Sequence, residues 1–283
     1  MFPIPIQKRP LINRISYKIL VPVSLFVWLI PLIGIMLTSI RGLGDITAGN
    51  YWGIPSEFLL FSNIKDVFQN TPMLSYIINS FKITIPTVIG AVAISCMTGF
   101  ALASYKFKAN LFIFFTFIAG NFVPYQILMI PVRNISIDMG VYNTHIGLII
   151  FHIAFQTGFC TFFLRNFIKE LPFELIEAAR ADGATEWTIY RKIILPLIVP
   201  ALAALGVLEF TFIWNDYFWA LVLTQGDTVK PITVGLDVLR GQWTTSWNLV
   251  SAGSVVAALP PVIMFFILQK QFIQGLTFGA VKG

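Results

Sequence analysis

The chain has 283 residues, 57% of them apolar and only 11% charged, with a formal net charge of +6. Soluble domains carry closer to a quarter charged residues, so most of this surface must face lipid rather than water. The length of the uncharged runs excludes a soluble all-helical core, and the positive charge fits basic loops beside a membrane rather than nucleic acid.

Six spans are expected, at about 19–40, 83–105, 109–132, 144–164, 197–223 and 249–269. Five lie in charge-free runs of at least the ~20 residues that cross a bilayer. The sixth, 197–223, contains Glu209 and Asp216. The expected fold class is therefore all-α and integral to the membrane, one transmembrane domain over 1–283. With both termini cytoplasmic, 13 of the 19 Lys and Arg fall inside and 6 outside, as the positive-inside rule demands. Lys8, Arg9 and Lys282 belong to the inside set. The first span exceeds the apolar core of a signal peptide and has no convincing small-residue cleavage site after it, so it is expected to be retained.

Between the first two spans, Arg41–Ser80 is rich in Gly, Pro, Asn and aromatics and is expected to hold short interfacial helices. The second span carries Gly90, Ala91, Ala93, Ser95, Gly99, Ala101 and Ala103. Small residues of this kind let backbones approach closely, although an ordinary Gly/Ala-rich span would read the same way. Pro124 and Pro131 can kink the third span. Asn121 and Gln126 there, and His152 and Gln156 in the fourth, are candidates for a polar cavity or for interhelical hydrogen bonds.

The loop 165–195 holds 10 of the 32 charges. Pro172 suits a first helical residue, Gly183 suits a left-handed stop, and Thr185 can cap a second short helix with Trp187, Tyr190 and Ile194 on one face. Two short helices joined at a glycine make a knob that can dock into a cleft on a cytoplasmic partner or lie on the headgroups.

In the fifth span Glu209 and Asp216 are seven residues apart, two helical turns, and so are expected on one face with Gly206 and Leu202. A carboxylate near the bilayer centre costs about 2.5–3.5 kcal/mol on insertion scales and faces protein or water. With Trp214, Asn215 and Tyr217 nearby, two readings stay open. One is a polar stripe along a solute path; the other is a structural clamp, with Asn215 and Asp216 capping the outer end. Trp243 and Trp247 lie in the following loop, where they can meet a partner or form an interfacial aromatic belt.

Catalytic signatures are missing. There is no GxxxxGK[ST] loop for nucleotide, no Ser/His, paired-Asp or HExxH constellation, and only two His and two Cys, so no metal site is expected. Cys96 and Cys160 read as buried apolar residues.

Glu177-Ala178-Ala179, then Gly183, then Ile193-x-Leu195-Pro196 resembles the EAA motif of ABC importer permeases, and the spacing matches throughout. The stretch from Trp214 to Trp219 and the C-terminal run from Gln269 to Gly283 resemble those of carbohydrate permeases, in particular the smaller, six-span type of the maltose importers. Tyr190 stands where Phe is more usual. The resemblance covers roughly 79–283 and implies a MetI-like helical bundle in a bacterial or archaeal inner membrane. It implies a second homologous permease, two ATP-binding cassette subunits that bind ATP and Mg, and an extracytoplasmic sugar-binding protein. It makes Glu177, Ala178, Ala179, Asp182 and Gly183 the contact to the ATPase, with no catalytic residue and no cofactor in this chain. Glu209, Trp214, Asn215, Asp216 and Tyr217 are the candidates for the sugar path. An ion-coupled secondary transporter using Glu209 and Asp216 is the alternative; it would typically show internal repeats, and none is evident.

Overall fold

The computed structural model describes residues 10–241 and 245–277. Lys8, Arg9, Lys282, Trp243 and the last six residues of the C-terminal motif lie outside the described residues. In chain order the α-helices are α1 (Leu11–Ser39), α2 (Leu43–Thr47), α3 (Leu60–Asn70), α4 (Met73–Ser104) and α5 (Asn110–Asn121). There follow α6 (Met129–Asp138), α7 (His145–Lys169), α8 (Glu174–Ala181), α9 (Glu186–Ile189) and α10 (Leu195–Leu197). The last are α11 (Val199–Trp214), α12 (Phe218–Leu223), α13 (Ile232–Gly235) and α14 (Trp247–Thr277).

Among the described residues four helices, α1, α4, α7 and α14, are long and apolar enough to cross a membrane. The helix pair Glu186–Leu197 and Val199–Trp214, bent by 72°, makes a fifth if it is counted as one span. Pro200 has no N–H to give to the preceding turn, so the ladder breaks at Ile198. The expected third span, 109–132, is not one helix. α5 has 12 residues, about 18 Å, and ends at Asn121; a turn through Pro124 then leads into α6. Pro124 therefore ends the helical run instead of kinking it, whereas Pro131 is accommodated inside α6. α4 starts ten residues before the expected 83, because Met73–Lys82 continue the helix past the charged residue.

The backbone gathers into two compact units. One comprises the segments up to Thr71 and Leu239–Val256. In it, α1 buries only Ser39 and presents the rest of its apolar surface outward, as lipid contact requires. The expected short helices of the following loop are α2 and α3. Asn63 of α3 donates to the carbonyls of Ser39 and Arg41, both at 2.8 Å, and accepts from Asn248 at 2.9 Å. Ser56 donates twice to Asp45, which holds that carboxyl below the usual range.

The other unit comprises Pro72–Val238 and the chain from Ala257 onward. Its centre is α4 against α7. A Cβ on Gly99 would sit 3.1 Å from the Arg165 amide nitrogen and 3.3 Å from Leu164 Cβ, and one on Gly90 would meet Ile153 at 2.5 Å. Ser95 donates to the Thr157 carbonyl at 3.1 Å across the same interface. The small residues of the second span thus make a close helix contact. α5 joins through Gly158, where a Cβ would meet the Phe117 carbonyl at 2.7 Å. Arg165 is buried, stands 3.7 Å over the Phe114 ring and donates to the Leu102 carbonyl at 3.3 Å, placing positive charge at the C-terminal end of α4.

Candidate functional site

Two surfaces carry the polar chemistry. The first is the loop between α7 and α11. α8 turns Ile176 and Ala179 down into a cluster with Phe100 of α4, Leu164 and Ile168 of α7, and Ile189, Tyr190 and Ile194. Its upper face leaves Glu177 and Ala178 exposed, and Asp182 and Gly183 follow in the same state. The helix ends in a Schellman turn: the Gly183 amide donates to the Arg180 carbonyl and the Ala184 amide to the Ala179 carbonyl, both at 3.0 Å. That turn needs a left-handed residue, and Gly183 has φ +79°. Thr185 accepts from the Thr188 amide and caps α9, as its sequence position implies. Pro172 lies ahead of α8, which begins only at Glu174, so it does not take the first helical position.

Tyr190 and Ile194 face inward, but Trp187 is 62% exposed. The Trp187 ring nevertheless lies 5.4 Å from that of Tyr190, so these two share a face as expected, and Tyr190–Ile194 forms a π turn beyond them. Arg180 and Glu186 were not singled out by sequence, although both are visible in it. Arg180 Nε and Nη2 donate to the two carboxyl oxygens of Glu186 at 2.7 and 3.2 Å. The Tyr105 hydroxyl, just past α4, donates to Glu186 at 2.6 Å. These bonds hold the Glu186 carboxyl below the usual range, Arg180 contributing more than Tyr105. The knob is thereby braced to the end of α4.

The second surface is a cavity of about 700 Å³ lined from α5, the turn after it, α7, α11 and α12. The α11–α12 break sets its chemistry. α11 stops at Trp214, so Asp216 does not continue the Glu209 face two turns on; it sits in the break. Its carboxylate accepts from the amides of Trp219 (3.3 Å) and Ala220 (3.0 Å), capping α12, with His152 Nε2 3.5 Å away. Asn215, Asp216 and Tyr217 line the cavity together with Asn121, His152 and Gln156. Gln126 does not. The Tyr217 hydroxyl donates to Asp237. The aromatic part of the wall is Phe155 stacked on Trp219 at 4.7 Å, with Phe218 and Tyr125 edge-on beyond it. Apart from Trp219, these rings lie in apolar runs where nothing local distinguishes a cavity ring from a lipid-facing one.

Glu209 and Trp214 stand off this cavity. Glu209 is fully buried, and neither carboxyl oxygen has a hydrogen-bonding partner by ordinary oxygen and nitrogen geometry; the Cys160 thiol of α7 is its polar neighbour. Trp214 stacks on Phe210 at 5.6 Å and donates its indole N–H to the Ala257 carbonyl at 3.0 Å. It packs α11 against α14. Among the described residues no group of three or more His, Cys, Asp or Glu could hold a metal ion.

Comparison with known proteins places these surfaces in context. Residues 91–278 match the family model described as binding-protein-dependent transport system inner membrane component. The chain is 34% identical over 263 residues to an osmoprotective compounds uptake permease protein, GgtD, of Synechocystis sp., covering 91% of this chain and 88% of that one. It is 34% identical over 261 residues to the arabinooligosaccharides transport system permease protein AraQ of Halalkalibacterium halodurans, covering 91% and 92%. Its fold matches a bacterial ABC transporter involved in the import of the acidic polysaccharide alginate, with a TM-score of 0.79 at 23% identity, over 92% of this chain and 96% of that one.

Proposed function

The chain belongs to the family of binding-protein-dependent transport system inner membrane components, and from that premise we propose that it is one permease subunit of an ATP-driven importer of sugars or sugar derivatives. Permeases of this family are non-catalytic membrane components, and AraQ, named for arabinooligosaccharides, supports the sugar class. The observation that carries the reading is the loop 165–195: a buried underside, a glycine-locked turn, and an exposed face of Glu177, Ala178, Asp182 and Gly183. That face is the docking site for a cytoplasmic ATPase. A second permease completes the path, and an extracytoplasmic binding protein delivers the solute. Six crossings, with α5 and α6 together forming the third, and cytoplasmic termini complete the proposal.

The mechanism follows from rigid bodies. Closure of the ATPase dimer draws the two docking loops together. The Arg180–Glu186–Tyr105 brace passes that motion to α4 and, through the Gly99 contact, to α7. The path then opens outward; hydrolysis lets the loops part and the path open inward. Asn215, Asp216 and Tyr217 line this path, while Glu209 and Trp214 support it from behind. The family match favours the ATP-driven reading over the ion-coupled alternative, and the position of Glu209 outside the cavity lining supports the same preference.

Reconstitution in liposomes tests the assembly. The purified chain alone should neither hydrolyse ATP nor take up sugar. Adding the second permease, the ATPase and the binding protein should give ATP-dependent uptake. Uptake by the chain alone would refute the proposal.

A further inference from the structure

The cavity wall has a specific chemical composition. None of its lining residues is Lys or Arg; its charged member is the Asp216 carboxylate, with His152 beside it. The Gln156 side chain lines the cavity and makes no hydrogen bond to a described residue. Asn215 donates to the Thr211 carbonyl, which leaves its side-chain oxygen free to accept. Opposite this polar side stands the Phe155–Trp219 stack. The volume, about 700 Å³, lies within the range of small-molecule sites.

From this we infer that the cavity is a subsite for a neutral, hydroxyl-rich solute, one or two saccharide rings, and that it rejects acidic saccharides. Hydroxyls are met by groups that both donate and accept, and Gln156 offers both at one position. The apolar face of a sugar ring is met by the aromatic wall. A uronate carboxylate would find no Lys or Arg on this chain's wall to pair it and would be repelled by Asp216, which is costly. Gln156 supplies the specific contact and the aromatic wall the sequence-tolerant one. The inference rests on the permease reading and names its substrate class.

The test uses the purified complete transporter, its other subunits made cysteine-free, with a reporter cysteine, Phe212→Cys, in the cavity lining. Phe212 is 53% exposed, whereas Cys96 and Cys160 are 2% and 0% exposed and will not compete for the label. Maleimide labelling is followed with a set of neutral probes (raffinose, maltotriose, arabinotriose), with trigalacturonate, and with mannitol as the osmotic control. Neutral saccharide should slow labelling several-fold, and trigalacturonate should not. Adding Gln156→Leu should raise the half-protecting concentration roughly fivefold, as for one lost hydrogen bond, and Gln156→Asn should recover part of it. Protection by trigalacturonate equal to that by the neutral probes, no protection by any of them, or protection indifferent to Gln156 would overturn the inference. ATPase retention and stimulation are measured on the same preparations. If they are intact while protection fails, the subsite alone falls; if they too are absent, the permease reading falls with it.

Discussion

Gly183 shows how one residue can set the geometry of the proposed docking surface. Its φ of +79° closes the Schellman turn, and a Cβ there would meet nothing within 4 Å, so backbone conformation alone demands glycine. A β-branched residue costs at least roughly 1–2 kcal/mol in that region, whereas Asn visits it readily. Gly183→Val should leave the chain inserted but lower ATPase retention, and Gly183→Asn should retain most of it; co-purification measures both. Glu209 makes the opposite case. Its depth in the fifth span marked it as a path residue or a clamp, and the structure places it off the cavity. Glu209→Gln keeps the shape and should leave the half-saturating sugar concentration unchanged in uptake assays. A several-fold shift would return Glu209 to the path.

At the scale of the element, the knob is tied to the bundle by the Arg180–Glu186–Tyr105 brace. With side chains 32% and 43% exposed, the ion pair is screened and contributes under about 1 kcal/mol to stability. Its effect should therefore appear in coupling and not in melting temperature. Arg180→Glu and Glu186→Arg should each raise the ATP hydrolysed per sugar imported, and the double swap should restore the ratio. The α4–α7 interface should respond differently. Gly99→Val forces α7 away from α4 and should reduce complex yield, read by size-exclusion chromatography.

The turn and cap of the loop 165–195 were legible in the sequence because their signals are local: a capping Thr185, a left-handed glycine and an Ala-rich helical turn. The small-residue stripe was legible only as one of two readings, and the close approaches at Gly90 and Gly99 decide for the helix contact over an ordinary Gly/Ala-rich span. The break after Trp214 was not legible. Helical periodicity assumes continuity, and nothing in Trp-Asn-Asp-Tyr states that Asp216 will cap a new helix instead of extending the old one. The third span departs from one continuous helix at Pro124, where an uncharged run concealed a turn. The π turn at Tyr190–Ile194 was not legible either, because such a turn has no local sequence marker.

For the whole molecule, the account requires that the loop 165–195 be cytoplasmic, in line with the 13-to-6 distribution of basic residues. Glu174 is exposed and lies outside the motif. Glu174→Cys should be labelled by an impermeant maleimide in inside-out vesicles and not in intact cells; labelling in intact cells would invert the topology. The central claim, that this loop passes the work of a partner ATPase to the membrane path, is tested most directly at Glu177. Glu177 is proposed to pair with a basic residue in the ATPase cleft, and removing one partner of a shielded ion pair typically costs about 2–5 kcal/mol. The measurement is binding-protein-stimulated ATP hydrolysis and ATPase content of the purified complete transporter carrying Glu177→Ala. The account predicts a lost ATPase complement or lost stimulation, with the permease pair intact. Full complement and full stimulation together would contradict it.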